Sequence, residues 1–270
     1  MKIPFSILAP ALLLAVCLPL GGCSRHDSAA AAEALAALSA TAALPDYAVV
    51  ADTRMTVQGE AAADGLSMTQ RMWRTGDDAM QKMTTYDVNG DPLFENGSAL
   101  IDGVYYWFDG ESWAEDDTGI AAAANLSWMP LVSWPEEEKD VTVTESDGVY
   151  TVEIGEGAFP AMIEEQLSAM EEEIKALEAR GLTEEAQDRR QVLETAEQAE
   201  YEELRYTIEV ENGRAVACTT YSRVRQPAAQ DMEGADTGAG EMAVSEITYT
   251  WRLTGTDAAA IADIIGEATA

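Results

Sequence analysis

The sequence predicts an α+β fold whose main body is an antiparallel sheet with helices set against it. Three observations predict it. Short stretches alternate apolar and polar residues with period two, and Gly, Asp and Asn separate them. At about 160–203 the apolar spacing changes to that of a helix. The chain of 270 residues has only three cysteines, so packing rather than disulfides has to hold it together.

The N-terminus comes first because it fixes where the rest would work. Met1 and Lys2 precede an apolar run from Ile3 to Leu20, broken by Pro4, Pro10 and Pro19. A positive end, an apolar middle and a small-residue exit describe a secretory signal. The run is also short for a spanning helix of about 20 residues. It ends in Leu20-Gly21-Gly22-Cys23, which resembles the lipobox of bacterial lipoproteins. That resemblance implies a diacylglycerol on the Cys23 thiol and cleavage ahead of it. The expected organisation is a signal peptide at 1–22, a lipidated tether at 23–28 and one domain over 29–270. The domain would then sit outside the cytoplasm, held to the cell membrane by its lipid.

Charge restricts the partners. The formal net charge is −33, from 49 acidic and 16 basic residues. Loss of residues 1–22 takes away Lys2 and no acid. Such a surface repels nucleic acid and anionic head groups, and attracts basic partners. Once Cys17 leaves with the signal and Cys23 is acylated, Cys218 stands alone, as a buried thiol in a strand-like run.

From 29 to 43 alanine dominates, and Ser28 is placed to cap a helix that Pro45 ends. Period two then sends Tyr47, Val49, Ala51, Thr53, Met55 and Val57 to one face of a strand, and the pattern repeats at 66–75 and 79–88. Asp87-Val88-Asn89-Gly90-Asp91 has the opening of a calcium loop, but Pro92 and Ser98 stand where such a loop needs Gly and Glu. Asn89-Gly90 signals a type I′ hairpin instead. Asn96-Gly97-Ser98 reads as a further turn.

Asp102-Gly103 and Asp109-Gly110 bracket the aromatic strand Val104-Tyr105-Tyr106-Trp107-Phe108. Alternation sends Tyr105 and Trp107 to one face, and Val104, Tyr106 and Phe108 to the other, so both faces need cover. Residues 126–134, with Trp128 and Trp134, read as a broken helix or capping loop around Pro130. A hairpin at 141–154 turns at Asp147-Gly148.

Ile163, Leu167, Met170, Ile174 and Leu177 follow helical 4-3 spacing, Gly181 ends that helix, and a second starts near Thr183. Strands at 204–210 and 214–224 flank Asn212-Gly213. A surface loop is expected at 226–240, a last strand at 242–253, and a final helix at 257–268 capped by Thr256.

This order of lipobox, Ala-rich helix, meander, aromatic hairpin, acidic helices and further strands resembles the LolA/LppX-type lipoprotein carriers and related surface lipoproteins. The residues that carry the resemblance are the strand at 47–57, Asp102-Gly103 with Tyr105, Tyr106, Trp107 and Trp113, and the hairpin at 205–221. The resemblance implies an open, strongly curved antiparallel half-barrel with helices on its concave face. It also implies non-covalent holding of lipid or another apolar molecule between sheet and helices. The candidate lining residues are Met55, Met72, Tyr105, Trp107 and Trp251.

A second function class remains open at this stage: an interaction module with a filled core and an acidic face for a basic envelope partner. Enzymatic function is not expected. His26 is the only histidine and lies three residues from Cys23, and no Gly-rich phosphate loop occurs. No cofactor is expected beyond the covalent diacylglycerol at Cys23, and no metal.

Overall fold

The structure is a computed structural model that describes residues 28–58, 66–87, 89–116, 140–227 and 242–269. The expected signal at 1–22, Cys23, Trp128, Trp134 and residues 228–240 lie outside the described residues. The elements in order are α1 (Ser28–Ala42), β1 (Asp46–Gln58), β2 (Leu66–Thr75), β3 (Asp78–Tyr86), β4 (Pro92–Ile101), β5 (Val104–Phe108) and β6 (Trp113–Glu115). Then follow β7 (Val141–Ser146), β8 (Val149–Ile154), α2 (Phe159–Ala179), α3 (Thr183–Glu197), β9 (Glu200–Glu211), β10 (Arg214–Pro227), β11 (Met242–Gly255) and α4 (Ala258–Gly266).

The strands form one open, curved antiparallel sheet of 11, in the order β6-β5-β4-β3-β2-β1-β11-β10-β9-β8-β7. This is the α+β half-barrel layout expected from the sequence. Tight turns build it. Asp102 and Gly103 have φ of 50° and 79°, Asp147 and Gly148 54° and 79°, and Asn212 and Gly213 50° and 74°. Positive φ at both central residues is the type I′ geometry that suits twisted hairpins. At Asp87–Asp91, Gly90 has φ 85° and donates its N–H to the Asp87 carbonyl. The Asp87 carboxylate accepts from the Asn89 and Asp91 backbone N–H groups and from Asn89 Nδ2, so it is spent on closing the turn.

One expectation is corrected. Asn96-Gly97-Ser98 is not a turn but the buried middle of β4, paired to β3 on one side and β5 on the other. Pairing on both edges overrides local turn preference here.

The two faces are covered by different helices. Ala34 and Leu38 of α1 join a cluster with Tyr47, Val49, Val152, Tyr206, Ile208, Cys218 and Trp251. We call this the inner face. Alanine suits α1 because small side chains let the helix lie close to the sheet. Thr41 Oγ1 reaches the Ala215 carbonyl at 2.8 Å, and the Tyr150 hydroxyl donates to Glu33 at 2.9 Å, which fixes the helix in place. Ala158 and Phe159, at the start of α2, join the same cluster.

α4 covers the opposite, outer face. Ile261 and Ile265 pack on Ala48, Met80 and Ala99, with Trp73, Tyr106 and Trp113 around them. Each face of the sheet therefore carries a helix. The Asp257 carboxylate caps α4 by accepting from Ala259 and Ala260 N–H, where Thr256 was the expected cap.

α2 and α3 form the expected helical hairpin, ended at Gly181 with φ 80°. Its seam is its own. Met170, Val192 and Ala196 make one cluster, and Ile174, Leu177 and Ala186 another. β9 begins at Glu200, earlier than the sequence spacing implied.

Candidate functional site on the inner sheet face

In a strand, alternate residues point to one side, and directly paired residues on neighbouring strands share that side. One inner row therefore runs Val49, Met72, Gln81, Ser98, Trp107 across β1 to β5. The next runs Tyr47, Arg74, Ala79, Leu100, Tyr105. In the other direction Ala51 pairs Trp251, which pairs Cys218, and Met55 pairs Ile247, which pairs Ser222. All five sequence-predicted lining residues, Met55, Met72, Tyr105, Trp107 and Trp251, thus fall on one face of one sheet.

They do not share one environment. Trp251 is 2% exposed and belongs to the cluster beneath α1, so it is a core residue of that contact. Met55 and Met72 are also buried. Tyr105 and Trp107 stay half-exposed. Met72 and Trp107 share a row with two strands between them, a distance of about 14 Å at the usual strand spacing. Tyr106 and Phe108 take the other face, where Tyr106 packs near α4 and Phe108 stacks on Trp113 at 5.2 Å. On that face α4 covers Tyr106 and the Trp113 ring covers Phe108, while Trp113 itself stays half-exposed.

Sequence reasoning missed several inner-face residues. Met68 lies on a neighbouring inner row, paired to Thr53 and Thr85, and all three are buried. Asn96, Ser98, Thr220 and Ser222 place further polar groups on this face. The Ser222 hydroxyl is buried and has no hydrogen-bond partner among the described residues. The available signal was alternation: counting by twos from Cys218 reaches Thr220 and Ser222, polar positions on a buried row. Cys218 itself is fully buried; burial pushes its thiol pKa well up, and a hydrogen bond with Thr220 offsets this only in part. It is therefore a neutral thiol and not a nucleophile at neutral pH.

Among the described residues, no group of three or more His, Cys, Asp or Glu side chains is arranged to hold a metal ion. No described helix is long and apolar enough to cross a membrane. What the inner face offers chemically is an adaptable apolar wall of methionine and aromatic side chains with hydroxyls and amides set into it.

No family model matches the chain, and no curated protein matches it. Solved structures do. The chain is similar to a LolA superfamily protein from Nitrosomonas europaea, at 9% identity, covering 84% of this chain and 94% of that one, with a TM-score of 0.25. It is also similar to a DUF1329 family protein from Desulfovibrio piger, at 10% identity over 86% and 95% of the two chains, with a TM-score of 0.25.

Proposed function

We propose that this chain is a membrane-anchored extracytoplasmic lipoprotein that holds a lipid or other apolar molecule, non-covalently, on the inner face of its sheet. The observation that carries the reading is the gathering of Met55, Met68, Met72, Tyr105 and Trp107 on one face, with Trp107 and Tyr105 left half-exposed at the β5 end. Methionine and aromatic walls accommodate flexible apolar shapes. The Ser222 hydroxyl gives such a wall a polar point. Lipidation of Cys23 in the Leu20-Gly21-Gly22-Cys23 motif would supply the anchor.

Tryptophan quenching tests this reading. Brominated oleate titrated into the protein is expected to quench Trp107 on the inner face and leave outer-face Trp73 and Trp113 bright. In the Trp107→Phe variant the quenched amplitude falls. Unquenched wild type, or an amplitude unchanged by that substitution, contradicts the proposal.

A second reading has its own observation. The α2–α3 hairpin fills its apolar seam internally and presents acidic side chains such as Glu164, Glu171, Glu172 and Glu194 to solvent. That arrangement suits a surface for a basic envelope partner.

A further inference from the structure

The outer face is divided by how its cations are treated. On β9 to β11, Arg205, Arg223, Arg225 and Arg252 all lie within 4 Å of a glutamate: Arg223 of Glu202 at 2.9 Å, Arg225 of Glu202 at 2.8 Å, Arg252 of Glu209 at 3.5 Å and Arg205 of Glu203 at 3.9 Å. On β1 to β3 of the same face stand Arg54, Arg71 and Lys82, and none of them has an ion pair among the described residues. Arg71 and Lys82 are direct cross-strand partners. Like charges placed opposite each other destabilise a sheet. With 49 acidic residues against 16 basic ones, partners for both were plentiful. Instead this sequence sets two cations side by side, with Asp52 and Glu95 as the acids on adjoining positions. Asp52 accepts from the Thr69 hydroxyl at 2.7 Å.

The row continues into aromatic rings. It runs Arg71, Lys82, Gly97, Phe108, Trp113 across five strands, about 19 Å at the usual spacing. Trp113 leans over Gly97: a Cβ there would meet the Trp113 ring at 3.1 Å. The Lys82 ammonium sits 5.0 Å from the Phe108 ring centre and 5.8 Å from that of Trp113. Lys82 is thereby held in place, and Arg71 is exposed beside it. Trp113 stays half-exposed.

We propose that Arg71 and Lys82, with the half-exposed Trp113 ring beside them, form a docking strip for an acidic polysaccharide. Guanidinium and ammonium groups take carboxylate or phosphate substituents. An indole face packs against the C–H face of a sugar ring, as aromatic side chains do on apolar surfaces. The shape selects a chain over a surface. α4 stands on the neighbouring row, over Ala48, Met80 and Ala99, so a helix about 10 Å across rises along one side of the strip. A flat bilayer is kept off the foot of that step, while a single polymer chain can lie along it. The net charge of −33 opposes every polyanion at long range, so the strip acts only on a short acidic segment laid directly along it.

The test is calorimetric titration of the full chain with polygalacturonate fragments at low salt, with neutral dextran and phosphatidylglycerol vesicles as the comparison arms. Polygalacturonate is expected to bind where dextran does not, and to weaken as salt screens the charges. Arg71→Gln combined with Lys82→Gln should lower the affinity at least tenfold. Arg252→Gln, which removes a paired cation of the same face, should leave it unchanged. The ligand-free Arg71→Gln protein should melt no lower than wild type, since relief of repulsion replaces no lost contact. Polygalacturonate bound no better than dextran, or bound undiminished by the double variant, overturns the proposal. So does capture of the vesicles, and not the polysaccharide, through Arg71 and Lys82.

Discussion

Cys218 and Tyr206 lie at the centre of the inner cluster, 0% and 2% exposed, and their acid–base chemistry reports on that core. Burial raises the pKa of both, the Cys218 thiol from an ordinary 9.0 and the Tyr206 phenol from 10.0. A raised pKa on an acid means that the folded chain keeps protons which the unfolded chain has released. Their contribution to stability is complete below about pH 9 and is lost as pH rises through the ordinary thiol and then the phenol range. The melting temperature is therefore expected to be flat from pH 7 to about 8.5 and to fall above it. Cys218→Ala should delay the start of that fall while leaving the tyrosine part. A melting temperature independent of pH up to 11 would contradict the buried placement of both groups. Cys218 was legible as a buried thiol from its strand-like surroundings. Ser222, four residues on, was not singled out, because an orphaned hydroxyl is visible only once its neighbours are known.

At the scale of the element, β4 shows most clearly where local signals mislead. Its sequence Pro-Leu-Phe-Glu-Asn-Gly-Ser carries the chemistry of a turn. In the sheet Gly97 has a different job, since a Cβ at that position would come within 2.7 Å of the Gln81 carbonyl and 3.3 Å of the Phe108 Cβ. Gly97→Ala should cost about 1–3 kcal/mol, the usual range for overpacking, read as a lowered urea midpoint with an unchanged slope. An unchanged midpoint would mean that Trp113 and Phe108 do not lie over the strand. Three hairpins, by contrast, were written in Asp102-Gly103, Asp147-Gly148 and Asn212-Gly213, whose preference for positive φ needs no tertiary help. The alternations of β1, β2 and β5 and the Gly181 stop of α2 were legible for the same reason: each depends on neighbours in the chain. The face that α4 would cover was not legible. Ile261 and Ile265 declare an apolar stripe, but the Ala48, Met80 and Ala99 they pack against come from three other elements.

For the whole molecule, the apolar inner face and the acidic balance point the same way. Met55, Met72, Tyr105, Trp107 and Trp251 were candidate lining residues of an expected sheet–helix cavity, and strand register places them on one face, with Met72 and Trp107 in one row across β2 to β5. What alternation did not reveal is that α1 occupies the part of that face around Trp251, because α1 and its contacts on β8 to β11 lie more than a hundred residues apart in sequence. The part over β2 to β5, where Tyr105 and Trp107 stay half-exposed, is accordingly where the proposed function puts its ligand. Native mass spectrometry of the protein, purified from its host membrane and then re-exposed to that membrane's lipid extract, tests the central claim most directly. A reproducible added mass of lipid size beyond the covalent anchor, lost in Trp107→Asp while the melting temperature is kept, is the result predicted. A mass equal to that of the anchored chain alone under every lipid offered would contradict it.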